Sequence, residues 1–366
     1  TGGGCRASNY IAFIRKALVD AGLERVPVIS LNAAALERNP GFKLSLPFLL
    51  RGLQALVYGD ALMRGLYRTR PYEARPGSAQ ALVDAWTERC KALLERPSIP
   101  AYVRALKAIV RDFDELPLRE APRRPRIGVV GEILVKFHPD ANGHIVETIE
   151  AEGGEAVVPD LFDFLLYSTY NGIFRRRKLG GSLKAELKAR AGIGLLGLLR
   201  APLAAALERS GRFEAPPTIH ELASGVDGIV QLGNATGEGW FLTAEMVELI
   251  HSGSSGVVCL QPFACLPNHV TGKGMLKELR RRYPTVPVAA IDFDPGASEV
   301  NQLNRLKLLM ANARRGARPA PAEPSAADAP GTELEAGLGA ASPEEASAEG
   351  FAAEAALPPD EDQETA

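Results

Sequence analysis

The side chains best suited to chemistry gather in one stretch, Cys259-Leu260-Gln261-Pro262-Phe263-Ala264-Cys265-Leu266-Pro267-Asn268-His269-Val270-Thr271-Gly272-Lys273-Gly274. It runs from an apolar segment that reads as a buried strand into a helix. That places it at the carboxyl end of a sheet, where open α/β sheets hold their ligands. Cys265 sits in a stiff loop between Pro262 and Pro267, and its thiol is a candidate metal ligand or redox group. Cys259 belongs to the Val-Val-Cys-Leu run, where a cysteine packs as a small inert hydrophobe, so it is a secondary candidate.

A second thiol opens the chain in Thr1-Gly2-Gly3-Gly4-Cys5-Arg6, just ahead of a helical pattern. Glycine-rich backbone before a helix exposes N–H groups that can bind an anion. The same geometry, with Arg6 adjacent, can stabilise a thiolate at Cys5. No G-x-x-x-x-G-K-[ST] occurs, so a phosphate-binding P-loop is unsupported, and a plain flexible loop is the alternative. Gly233-Asn234-Ala235-Thr236-Gly237-Glu238-Gly239-Trp240 reads as another loop on the same carboxyl rim, with Trp240 either walling a cofactor pocket or filling the core. Glu132 and His138, after the strand that ends in Gly131, are candidate proton donors or acceptors; a surface Glu and a helix-start His fit the spacing equally. Tyr167, Tyr170 and Asn171 share a helical face and read as packing. The absence of H-E-x-x-H, C-x-x-C and G-x-S-x-G removes the zincin, zinc-ribbon and serine-hydrolase readings.

The elements that must position these residues follow from periodicity. Residues 1–45 read as loop, helix and then a strand at 26–31, the end of a truncated α/β domain; Ile11, Ile14, Leu18 and Ala21 form the helix stripe. Residues 46–120 are helical, with an amphipathic segment through Leu49, Leu53, Leu56 and Leu62 followed by helices at 79–94 and 101–113. A Pro- and Arg-rich linker ends at Pro125. Residues 126–316 form the C-terminal α/β domain, with strands expected at 126–134, 155–159, 228–232, 256–260 and 286–293. Helices are expected at 141–151, 160–177, 183–209, 243–251, 274–283 and 298–313. Strands alternating with helices predict parallel pairing in a doubly wound sheet. Residues 317–366 are rich in Ala, Pro and Glu with few large apolar side chains, and are expected to be a disordered acidic tail.

Composition excludes several classes. The 366 residues carry 42 Lys and Arg against 44 Asp and Glu, too little positive charge for a general nucleic-acid binder. A membrane span needs about 20 consecutive apolar residues. The longest apolar stretch, 191–199, is bracketed by Arg190 and Arg200, so no transmembrane helix is expected. The chain opens without Met or a charged-then-apolar leader and reads as an internal fragment, and its four scattered cysteines suit a reducing cytoplasm.

Three of these segments occur in order: Thr1-Gly2-Gly3-Gly4-Cys5-Arg6-Ala7-Ser8-Asn9-Tyr10-Ile11, Gly131-Glu132-Ile133-Leu134-Val135-Lys136-Phe137-His138-Pro139, and the run from Cys259 to His269. Together they resemble the 2-hydroxyacyl-CoA (2-hydroxyglutaryl-CoA) dehydratase family, closest to its large fused branch, in which activase-type ATPase modules are joined to a dehydratase-like region. The resemblance covers about residues 1–315. It implies two flavodoxin-like parallel-sheet domains, the first truncated here, with a helical insert and a [4Fe-4S] or double-cubane iron–sulfur cluster between them. By the same resemblance Cys5 and Cys265 are ligands, Cys259 is a lesser one, and a further ligand lies upstream of Thr1; Arg6 and Trp240, read above from their own positions, are the further candidate cofactor-binding residues. The implied activity is lyase-type. An ATP-driven activase, fused or separate, supplies a low-potential electron, and the cluster passes it to a bound substrate, an acyl-CoA in the dehydratases. ATP is used by the activase and not by this chain; no nucleic acid or membrane is implied, and a dimer is left open. The competing reading is a redox-inactive α/β binding or scaffold region of a large activase-related protein. The activase itself is disfavoured because no nucleotide-phosphate motif is readable.

Overall fold

Four short apolar runs pair in parallel to make the frame of the molecule: β1 (Arg126–Gly131), β2 (Glu155–Val157), β3 (Gly256–Pro262) and β4 (Val288–Phe293), in the spatial order β2-β1-β3-β4. They are seen in a computed structural model of the chain, which describes residues 9–29, 45–294 and 296–316. The fold is mixed α/β with a four-stranded, all-parallel sheet. Parallel strands need covered faces, and their sequences are accordingly near-continuous apolar runs.

Successive strand residues point to opposite faces, so each strand feeds two cores. Val130, Val257, Cys259, Val288 and Ala290 belong to one core. There they join residues of α2 (Leu46–Thr69), α4 (Ile99–Asp114), α7 (Leu161–Leu179), α8 (Leu183–Glu208) and α10 (Trp240–His251). Ile127, Val129, Val258, Leu260 and Ile291 belong to the second core, with residues of α6 (Ile145–Ala151) and α12 (Glu299–Gly316). The register sets Val130 opposite Cys259 and Cys259 opposite Ala290, which fixes the face on which the Cys259 thiol lies.

The helical region at 46–120 is bound to the sheet by that first core. Tyr102, Leu106, Ile109, Val110 and Phe113 form the buried stripe of α4, and Phe113 lies against Gly65 of α2 so closely that a Cβ on Gly65 would be 2.6 Å from its ring. Asp60 of α2 supplies a cap across the interface: its two carboxylate oxygens accept from the N–H groups of Leu161 and Phe162, at 2.9 and 3.0 Å, at the start of α7. Arg64, one turn on, pairs with Asp160 at 2.7 Å. Elsewhere α1 (Tyr10–Asp20), α3 (Ser78–Glu95), α5 (Ile133–Phe137), α9 (Ile219–Gly225) and α11 (Leu276–Arg282) complete the helices of the described residues.

Three expectations change. The apolar run 228–232 is not a strand: Gly228 takes φ +70°, the N–H groups of Ile229 and Val230 donate to Val226 O in turn geometry, and Arg282 donates to Gly228 O. Its side chains pack against the core without any strand beside them. The two parallel-sheet domains reduce to one sheet among the described residues. Within 26–29 the chain is irregular, and the rest of the expected first strand lies outside the described residues, as do the tail and Cys5. Finally, α8 as a whole, 26 residues, is long and apolar enough by composition to cross a membrane, although its Leu196, Arg200, Leu203 and Leu207 are buried in the protein.

The last residue of β1 is the tightest point of the sheet. Gly131 has φ +150°, and a Cβ there would overlap the Leu260 carbonyl of β3. Gly131→Ala is expected to cost on the order of 3 kcal/mol, from strain and overpacking combined. A urea midpoint equal to that of the unaltered protein would contradict this reading of the β1–β3 junction.

Candidate functional site

In the order β2-β1-β3-β4, the chain leaves β1 toward β2 on one side and returns to β3 on the other. The crevice outside the carboxyl ends of β1 and β3 is therefore a topological switch point, the place where such sheets bind ligands. Three loops meet there. The first follows β1: Glu132 N–H donates to Leu260 O at 3.0 Å, and Ile133 N–H donates to Glu238 Oε1 at 3.1 Å. Glu238 belongs to the second loop, where Gly237 packs so near Pro267 that a Cβ would lie 2.9 Å from its ring, and Tyr167 O–H donates to Gly237 O at 2.9 Å. Pro267 belongs to the third loop, the one carrying Cys265.

Cys265 is held in a built position. Ala264 before it takes a left-handed φ of +56°, uncommon for a residue with a Cβ, and Cys265 N–H donates back to Pro262 O at 3.2 Å. Its carbonyl accepts from His269 N–H at 2.9 Å, opening a helical stretch that continues through a π-turn at Asn268–Gly272 into α11. Asn268, fully buried, donates from Nδ2 to Cys265 Sγ at 3.2 Å, and His269 Nδ1 lies 3.0 Å from Cys265 O. A place ahead of a first helical turn, with an amide donor on sulfur, is the setting in which negative charge on sulfur is stabilised. Cys265 itself is buried, and the same segment exposes Phe263, Leu266 and Val270 (62%, 69% and 48%), an apolar margin at the surface. Two buried acceptors nearby, Gln261 Oε1 and Asn268 Oδ1, have no protein partner. Gln261 also donates through Nε2 to Asp292, which pairs with Lys273 at 3.1 Å.

The other sequence candidates fall elsewhere. Cys259 is fully buried, and burial with nearby carboxylates pushes its thiol up to about 12, so it packs as an inert core residue. Trp240 is fully buried in the core; its Nε1 donates to Asn171 Oδ1 at 3.1 Å and its ring stands edge-on to Tyr167. Glu132 is at the rim, but its Oε2 accepts from the N–H groups of Leu134 and Val135, both at 3.0 Å, which makes it the cap of α5. Burial raises its carboxyl, those two bonds lower it, and Glu238 raises it further. His138 lies exposed at the far end of α5, so the pair is not brought together. Cys5 and Arg6 lie outside the described residues. Among the described residues no three His, Cys, Asp or Glu converge as a metal site. Glu238 and Asn268 were not singled out by the sequence; Asn268 had a signal, standing three residues after Cys265 in a helical stretch.

Beneath the rim, α5 connects to a buried ionic cluster. Lys136 Nζ pairs with Glu245 Oε1 at 2.7 Å, both nearly inaccessible, while Glu245 Oε2 has no protein partner. Arg200 pairs with Asp163, and a cavity of about 40 Å³ is bordered by Arg64, Asp163, Glu245 and Glu248. Desolvation outweighs these partners, holding Asp163 at about 6 and both Glu245 and Glu248 at about 7.

These carboxyls bind protons more tightly in the folded chain than in the unfolded one. Their contribution therefore favours folding at low pH and is lost as pH rises from the ordinary carboxyl range toward about 7. Glu248→Gln removes one such group without stripping an ion-pair partner. Its stability is expected to fall less steeply than wild type between pH 5 and pH 8, gaining about 1–2 kcal/mol relative to wild type at the upper end. Parallel stability-versus-pH curves for the two proteins would show that Glu248 titrates normally. Compared with known proteins, the chain matches no family model, no curated protein and no solved structure.

Proposed function

We propose that the chain is the iron–sulfur component of a 2-hydroxyacyl-CoA dehydratase-like system, with Cys265 as a cluster ligand at the β1–β3 rim. The observation that carries this reading is the placement of Cys265. Its sulfur accepts an amide hydrogen bond and precedes a helical turn, and the residue lies shallowly buried, 8% exposed, in a loop at a switch point that also carries exposed apolar side chains. Such a margin suits a group that is covered by a second body, as a cluster between domains would be. When bound, the cluster supplies a low-potential electron to the substrate carbonyl.

The chain's own residues then have distinct tasks. Cys265 ligates, Asn268 donates to the ligating sulfur and raises the potential, and Phe263, Leu266 and Val270 exclude water. Cys259 does not fit a ligand's role, because its thiol faces the core and resists ionisation. One thiolate does not hold a cubane, so the remaining ligands come from Cys5 and from outside this chain. The electron donor is an activase ATPase, fused or separate, and the substrate class is an acyl-CoA. A redox-inactive α/β scaffold is the second reading, favoured by the lack of a convergent metal-ligand set among the described residues.

Anaerobic reconstitution with iron and sulfide distinguishes the two. With a small-molecule thiol present to fill the iron sites whose ligands lie outside this chain, the chain is expected to take up iron and sulfide with visible charge-transfer absorbance, Cys265→Ala to lose both, and Cys90→Ala and Cys259→Ala to keep both. Equal iron in the Cys265 and Cys90 variants, or none in any protein, supports the scaffold. A further expectation concerns potential: Asn268→Ala should retain the cluster but lower its reduction potential, measured by redox titration, since a hydrogen bond to sulfur is lost.

A further inference from the structure

The α7–α8 hairpin carries a surface that the rim does not use. The two helices run antiparallel, joined by Gly180, Gly181 and Ser182, with Gly172 against Ala189 and Gly192 against Thr169. Near the turn Arg175, Arg176, Arg177, Lys178, Lys184, Lys188 and Arg190 are all exposed. Among residues 175–190 the sole acid is Glu186, which pairs with Arg190 at 2.8 Å and with Arg177 at 3.8 Å.

Beside these cations runs an apolar stripe. Leu183, Leu187, Leu195 and Leu198 of α8, and Leu179 at the turn, are each more than half exposed. At about 100° per residue the α8 leucines occupy one sector roughly 120° wide, with Lys188 near one border and Arg190 near the other. The opposite face, through Leu196, Arg200, Leu203 and Leu207, is buried. Arg200 is tied there to Asp163 and to Pro217 O. The helix is therefore anchored in the domain, and its stripe can lie on a surface but not span one.

We propose that this hairpin docks on an anionic lipid bilayer, with the leucine stripe entering the interface and the basic side chains engaging headgroup phosphates. Charge complementarity selects this occupant. A second copy of the chain would bring the same cations together across the contact, whereas an anionic leaflet neutralises them. Long Lys and Arg stems flanking an apolar stripe can also reach up to the headgroups while their methylenes stay in the interface. The inference is independent of the cluster reading.

The test is sedimentation of the full chain with vesicles of phosphatidylcholine alone and of phosphatidylcholine with phosphatidylglycerol, at low and high salt. Binding is expected only to the anionic vesicles and should weaken about tenfold or more at high salt. Arg175→Glu/Arg176→Glu/Arg177→Glu and Leu183→Ser/Leu187→Ser should each weaken it by a similar factor. All of these positions are exposed, so unchanged circular dichroism and melting would confirm that both variants fold. Absent binding, equal binding to both vesicle types, or full binding by either folded variant overturns the proposal. Self-association that Leu183→Ser/Leu187→Ser abolishes, without vesicle binding, also overturns it and assigns the stripe to a second copy.

Discussion

The parallel pairing of β1 with β3 is the constraint from which the remaining architecture follows. It brings the Gly131 backbone against the Leu260 carbonyl, and it turns the chain out of both strands into a single crevice. Everything at the rim is reached from that junction. Glu132 can cap α5 because β1 ends where it does, Glu238 can accept from Ile133, and the Cys265 loop can lie against Gly237. The same pairing decides which cysteine joins the core. The alternation along β3 sends the Cys259 side chain into the helical core, and Cys265, beyond the strand end, escapes that alternation.

The helical region is part of this scheme and not an appendage. Its apolar stripes complete one face of the sheet, and Asp60 and Arg64 reach across to fix the start of α7. The cost is a set of carboxyls and cations held in a poorly solvated layer, including Asp163, Glu245 and Glu248, whose protons are retained to higher pH. Lys136 links that layer to the short helix that follows β1, so the rim and the ionic cluster share one element.

The parallel sheet, its long helices and the rim position of the Cys265 loop were legible because they depend on periodicity and on the contrast between apolar strands and polar ends. The run 228–232 misled for a physical reason: three apolar residues beside the core look the same whether they pair or turn, and Gly228 decides for the turn. Trp240 was ambiguous because its neighbours along the chain say nothing of Asn171, the distant partner that makes burying the indole N–H favourable. Glu132 reads as a proton carrier by residue type, yet its position one residue before a helix makes it a cap. The tertiary cap at Asp60 and the Lys136–Glu245 pair join residues about a hundred positions apart, and no local pattern announces them.

The account stands on the Cys265 sulfur being a ligand rather than a packed thiol. The most direct measurement is alkylation of each cysteine, mapped by mass spectrometry, in the full chain before and after anaerobic loading with iron and sulfide. Cys265, 8% exposed, should react faster than the fully buried Cys259 in the unloaded chain and become protected on loading, while Cys259 stays unreactive in both. Alkylation of Cys265 at the same rate with and without iron would contradict it.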